Sequence, residues 1–254
     1  MDKVINRILV FTLVASTVAF AFIGCGNNTS DSGKLVFGTN AEFPPFEFHS
    51  AKGILSNFDG IDIAIAKQTA EILGLTPEIA NMEFDSILIA LQNGQIDAAI
   101  AGLTVTKERA EAVDFSKPYY NATQVMIVKE GSEIKKATDM SGKTIAVVHG
   151  FTGHTCVKEL GFEKNMVAFK NGTECIMELL NGKCGVVVID EATAKNYVAD
   201  NKGLVIIEDN DAFKSEKYAI AVKKGNQELL DKINLAIDSM NASNTINLIA
   251  SKYL

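Results

Sequence analysis

The chain has 254 residues, 24 of them Lys or Arg against 31 Asp or Glu, for a formal net charge of −7. An acidic balance without a basic tract excludes a nucleic-acid-binding surface, because neutralising phosphates needs clustered cations. The length excludes a small stapled scaffold, since a chain of this size buries a sizeable core without disulfides.

Lys3 and Arg7 precede a charge-free, largely apolar run from Ile8 to Ile23, and Gly24-Cys25 follows. A charged start, an apolar stretch and a small residue form the pattern of a secretory signal peptide. The run is shorter than the ~20 residues a membrane-spanning helix needs. Residues 1–24 are therefore read as a signal peptide, and its removal takes away a net +1 (Asp2, Lys3, Arg7) and leaves about −8. The stretch 25–33 is small and polar after Cys25 and reads as a flexible tether. An ordinary signal peptide with an incidental cysteine is the alternative.

Strands and helices then alternate. Residues 34–40 read as a strand. Residues 61–74 read as a helix, with apolar positions at 61, 65, 72 and 73 and Gly74 near its end. A strand over 76–82, a helix over 84–93 closed by Gly94, and a strand over 97–102 follow. This βαβαβ order predicts a parallel sheet with helices on both faces. The third strand runs into the turn Ala101-Gly102-Leu103-Thr104, and a short charged helix starting near Thr106 carries Arg109. In open α/β sheets ligands bind at the carboxyl ends of the strands. An arginine fork there suits a planar carboxylate. A solvated Arg109 beside Glu108 and Glu111 is the plainer alternative.

A second series begins after Tyr120. It places strands at 144–148, 167–170, 185–190 and 203–208, with helices over 152–160, 173–180 and 191–199. Residues 217–223 are extended, and 227–253 are mostly helical. The pattern predicts two α/β lobes of similar size, with the extended stretches 119–124 and 214–218 as candidate crossings. At His149-Gly150-Phe151-Thr152-Gly153 a strand turns into a helix, whose free N–H groups and dipole attract an anion. A simple helix cap is compatible with that role. Asp190 ends a buried strand, so it either faces the cleft or caps the next helix. Apart from Cys25, the cysteines are Cys156, Cys175 and Cys184, read as small buried residues, with a Cys175–Cys184 bridge open as an option. The histidines His49, His149 and His154 are scattered, which argues against zinc.

Three motifs carry a family resemblance: TNAEFPPFEF at 39–48, the turn and helix at 101–109 including Thr106-Lys107-Glu108-Arg109, and the strand ending at Asp190. With them, the whole chain after the tether resembles the periplasmic-type polar amino-acid-binding proteins of ABC transporters, solute-binding protein family 3. The resemblance implies a two-lobed α/β periplasmic-binding-protein type II fold, two doubly wound sheets joined by two hinge segments. Lobe 1 would comprise 33–118 and 219–254, lobe 2 would be 124–213, and the hinges 119–123 and 214–218. Phe22-Ile23-Gly24-Cys25 resembles a lipoprotein lipobox, with Phe22 where leucine is usual, and implies a lipid on Cys25.

The implied site holds a zwitterion. Arg109 would take the α-carboxylate, helped by Thr104 and by Thr152 at the second-lobe helix. Asp190 would take the α-ammonium, with the Gly102 carbonyl as a second acceptor and Ala101 in the same turn. Asn40, Glu42, Phe43 and Phe84 would contact the ligand side chain, the two rings sandwiching its stem. Phe151 stands where relatives carry threonine, and Asn40 where many carry aspartate. Glu42 would then be the counter-charge for a basic ligand. The motif order resembles arginine-binding and glutamine-binding members most. The implied protein is an extracytoplasmic, lipid-anchored, monomeric receptor for a free L-amino acid, with a lean to a basic one, that delivers it to a membrane permease. It needs no cofactor or metal and is not expected to be an enzyme. A cyclohexadienyl dehydratase-like enzyme on the same fold, or the sensing subunit of a separate receptor, are the alternatives.

Overall fold

The computed structural model describes residues 33–254, so the expected signal peptide, the Cys25 lipidation site and nearly all of the tether lie outside the described residues. The first part of the fold runs β1 (Lys34–Thr39), β2 (Glu42–Phe43), β3 (Glu47–His49), β4 (Phe58–Asp59), α1 (Ile61–Ile72), β5 (Thr76–Asn81), α2 (Phe84–Gln92), β6 (Ala98–Ala99), α3 (Lys107–Ala112) and β7 (Val113–Ala122). It continues through β8 (Gln124–Lys129), β9 (Ile145–Val148), α4 (Thr152–Glu159), β10 (Met166–Phe169), α5 (Gly172–Leu180), β11 (Val186–Asp190), α6 (Glu191–Asp200) and β12 (Leu204–Ile207). It ends with β13 (Glu216–Lys223), α7 (Gln227–Ala242) and α8 (Thr245–Ala250).

Two five-stranded sheets organise these elements, in the orders β5-β1-β6-β13-β7 and β10-β9-β11-β8-β12, and β2-β3-β4 form a small third sheet. Strands β5, β1 and β6 are mutually parallel, as are β10, β9 and β11. The continuous β-branched runs of β9 (IAVV) and β11 (VVVID) are buried at every residue, as strands covered on both faces require. Helix α7 packs on β7 and on α1, so the chain's last helices cover the first sheet.

Several details go beyond or against the sequence reading. The sheets are not purely parallel: β13 lies antiparallel to both β6 and β7, and β8 antiparallel to both β11 and β12. The strand β8 was not foreseen. The sequence pattern marks only 119–124 as extended there, as a candidate crossing. In the fold Thr123 divides it, so β7 joins the first sheet and β8 the second. The strand expected over 97–102 keeps ladder geometry only at Ala98–Ala99, although Asp97 N–H and Ile100 N–H still donate to Val36 and Gly38 carbonyls at 3.0 Å. The cysteine option also closes: Cys156, Cys175 and Cys184 are free thiols. Burial pushes Cys175 up to about 12 and Cys184 up to about 11.

The aromatic loop after β1 is tied to α1 by backbone alone. The α1 start has no side-chain cap. Instead Ile61 N–H donates to Pro45 O at 3.0 Å and Asp62 N–H to Phe46 O at 2.9 Å. Two of the helix's orphan donors are thus satisfied by the loop. Gly60 permits this approach, with φ +125° and a position where a Cβ would stand 2.2 Å from Phe46 O. We expect Gly60→Ala to lower stability by roughly 1–3 kcal/mol from backbone strain alone, with the clash adding to it. Urea unfolding should show the loss. An unchanged midpoint would mean that the loop and α1 are not held by this contact.

Candidate functional site

The carboxyl ends of β1 and β6 and the starts of α2 and α3 face the β9–α4 turn and the end of β11. One cavity at their meeting is lined by Phe43, Phe84, Ala101, Gly102, Thr104, Arg109, Phe151, Thr152 and Asp190. It thus gathers eight of the ten residues singled out from the sequence. The other two are not among its walls. Asn40 is buried and spends its amide on Met82 O at 3.0 Å. Glu42 is exposed while Phe43 is buried, because successive strand residues point to opposite faces.

Arg109 is placed by local capping. Thr106 Oγ1 accepts from Arg109 N–H at 3.1 Å and starts α3. The half-buried guanidinium then donates to Thr104 O and, across the cavity, to Gly150 O, each at 2.9 Å. It also lies over the Phe84 ring, 5.4 Å from its centroid. Burial lowers its pKa, while Glu216 and Asp190 nearby work the other way. Arg109 is the one cation among the cavity's walls.

The turn that shapes the cavity floor hangs on a buried acid. Asp62 Oδ2 accepts from Gly102 N–H at 2.7 Å and from Tyr119 O–H at 2.8 Å. Gly102 has φ +52°, and a Cβ there would sit 2.7 Å from the Phe43 ring. Desolvation raises Asp62 to about 6. Glu47, also fully buried, is raised well above the usual carboxylate range by desolvation and by Asp62 beside it.

Asp190 is buried at the end of β11 and accepts a hydrogen bond from Tyr218 O–H. Its side chain does not cap α6. Burial and the nearby Glu216 raise it to about 7, against the lowering effect of the Tyr218 bond. Glu216 itself bridges the cavity: its Oε2 accepts from Thr104 Oγ1 at 2.9 Å and from Thr152 Oγ1 at 2.7 Å. Cys156 Sγ lies 3.9 Å from Glu216 Oε1, and its thiol is pushed up to about 12, so it is protonated at neutral pH.

Glu216, Tyr218 and Asp62 escaped the sequence reading, and Phe151 was noted without a role. The signal for the first two is the period of β13, which puts Glu216 and Tyr218 on one face and Lys217 on the other. For Asp62 it is a single acid amid the buried Ile61, Ile63 and Ile65 of α1. The combined chemistry is anion donors (Arg109 and two threonine hydroxyls) opposite a buried carboxylate, between aromatic walls.

The elevated Asp190 makes stability depend on pH. An unfolded aspartate titrates near 3.9, so between there and about 7 the folded protein holds a proton that the unfolded chain releases. That contribution is full below the unfolded value and is lost as pH rises through the folded one. At pH 8, Asp190→Asn should therefore melt higher than the native protein, and the gap should shrink as pH falls to 5. A pH-independent gap would place the Asp190 titration elsewhere.

The family described as bacterial extracellular solute-binding proteins, family 3, matches residues 35–254. A probable histidine-binding protein of Neisseria gonorrhoeae is 34% identical over 248 residues, covering 92% of this chain and 91% of that protein. The arginine-binding extracellular protein ArtP of Bacillus subtilis (strain 168) is 32% identical over 247 residues, 95% of each chain. The solved structure of the arginine-, lysine-, histidine-binding protein ArtJ from Geobacillus stearothermophilus superposes with a TM-score of 0.81 at 37% identity, covering 87% of this chain and 95% of that one. All three carry the names of binding proteins, and the fold is the two-lobed type II arrangement of periplasmic binding proteins. The chain belongs to the bacterial extracellular solute-binding proteins of family 3.

Proposed function

We propose that this protein captures a free basic amino acid between its two lobes and delivers it to the permease of an ABC transporter. The observation that carries the reading is the meeting of Arg109, Thr104 and Thr152 with Asp190 and the Gly102 turn in one cavity. A zwitterion needs donors for its carboxylate and an acceptor for its ammonium, and those groups supply both. Arg109 has the fork for a carboxylate. Asp190, elevated by burial, gains most from a cation placed against it.

The lean to a basic ligand rests on the aromatic walls and on the relatives named for arginine, lysine and histidine. The Phe43 and Phe84 π faces suit a cation. Arg109 over Phe84 supports that a guanidinium fits against that ring. Glu42 points to solvent from β2, so the rings rather than that carboxylate are assigned the selectivity. Thr123 and the segment between β12 and β13 serve as the hinges, and contacts of one ligand to both lobes favour closure. The mature chain starts at Cys25 and is held to the membrane by lipid there, which keeps the receptor beside its permease.

Thermal melting against the common amino acids tests the reading. A ligand at ~100 times its dissociation constant should add ~2.7 kcal/mol, and arginine, lysine or histidine should lead. No shift with any amino acid would end it. Arg109→Ala should cost roughly 2–5 kcal/mol of binding, and Arg109→Lys should also weaken it for want of the fork. Native-like calorimetry for Arg109→Ala would remove Arg109 from the site. For the anchor, mass spectrometry of the native protein should find a diacylglyceryl-modified Cys25 at the N-terminus. An unmodified Cys25, or a start elsewhere, would contradict it.

A further inference from the structure

The anchor groups of the cleft are engaged by the protein's own atoms. The carboxylate of Glu216 takes the hydroxyl of Thr104 from one side and that of Thr152 from the other, at 2.9 and 2.7 Å. Those are the groups assigned to an amino acid's carboxylate. The carbonyl of Gly150 takes one arm of Arg109. The ring of Phe151 packs edge-on against Phe43, centroids 5.1 Å apart at 89°, and against Phe84 at 4.6 Å and 58°. It thereby fills the slot between the two rings assigned to the ligand's stem. The cavity that remains measures ≈ 10 Å³, about the room one water needs. A further cross-cleft contact, His149 Nδ1 to Asp85 Oδ2 at 2.8 Å, closes the rim.

We propose that Glu216 and Phe151 are internal stand-ins for the bound amino acid, holding the cleft shut and setting which ligand can enter. The inference rests on the reading of this cleft as an amino-acid site. An entering ligand trades places with both. Its carboxylate replaces that of Glu216 on the two threonines, and its side chain replaces the ring of Phe151 between Phe43 and Phe84. A long or planar side chain restores the lost aromatic packing. Alanine or serine leaves the slot unfilled and competes poorly. The affinity of every ligand is reduced by the fraction of molecules held shut.

Two measurements on the mature chain test this, after amino acids are stripped by unfolding, dialysis and refolding. In small-angle X-ray scattering without added ligand, the native protein should be as compact as it is with arginine. Phe151→Thr and Glu216→Gln should be more extended and should contract on adding arginine. A native protein as extended as the variants overturns self-closure, whether or not it binds amino acids, so this arm stands apart from the receptor assignment. In calorimetry each variant should bind arginine about tenfold more tightly, the expected release from a mostly shut population. Phe151→Thr should also narrow the arginine-to-alanine affinity ratio severalfold. Unchanged or weaker arginine binding in both variants would make the two residues ordinary ligand contacts and overturn the proposal. Failure of any amino acid to bind, with the native protein still more compact than both variants in the absence of ligand, would instead strike the receptor reading.

Discussion

The insertion of β13 between β6 and β7 is the constraint on which the rest of the molecule depends. Without it the first sheet would stop at three parallel strands, and the long β7 would have no partner. With it, Glu216 pairs with Ala122, Lys217 with Asn121 and Tyr218 with Tyr120, so the outgoing and returning chain lie side by side. Tyr218 also bridges to Thr104. Val105 N–H donates to Lys217 O, and Ala219 N–H to Leu103 O. One strand thus fixes the turn that carries Thr104 and brings Glu216 and Tyr218 to the cavity.

A second constraint is electrostatic. Glu47, Asp62 and Asp190 are all buried, and burial raises the pKa of each. Neither oxygen of Glu47, nor Asp62 Oδ1, has a hydrogen-bond partner among the described residues. Buried carboxyls in this position stay neutral more readily than they ionise, because the charged form loses its hydration. Asp62 and Asp190 differ from Glu47 in accepting hydrogen bonds, Asp62 from Gly102 N–H and Tyr119 O–H and Asp190 from Tyr218 O–H, and these bonds favour their anions. The acids near the cleft are thus graded by their partners. Glu216, half-buried and hydrogen-bonded to two hydroxyls, is the acid whose charge acts most on the cation Arg109.

Much of the fold was legible because its signals are local. The apolar runs of β9 and β11 mark themselves as covered strands. Gly74, Gly94 and Gly182, each with positive φ, mark the chain reversals just after α1, α2 and α5. Arg109 and Asp190 were legible because each sits where a strand ends and a helix begins, the position that faces a crevice in an α/β sheet. The partners that complete the site were not. Glu216 is 112 residues from Thr104, and Asp62 is 40 from Gly102. Glu42 is exposed while its neighbour Phe43 lines the cavity, because one residue along a strand reverses the face.

The sequence by itself determined most of the alternating strands and helices, the parallel core of the sheets and the candidates Arg109 and Asp190, since periodicity, turn residues and side-chain chemistry are written within a few residues. The tertiary structure alone decided that β8 and β13 lie antiparallel, that Thr123 divides one extended run between two sheets, and that Glu216 and Phe151 fill the cleft. The physical reason is that strand order and cleft occupancy are settled by competition among distant segments for the same hydrogen bonds and the same apolar surface. No local pattern records which segment wins.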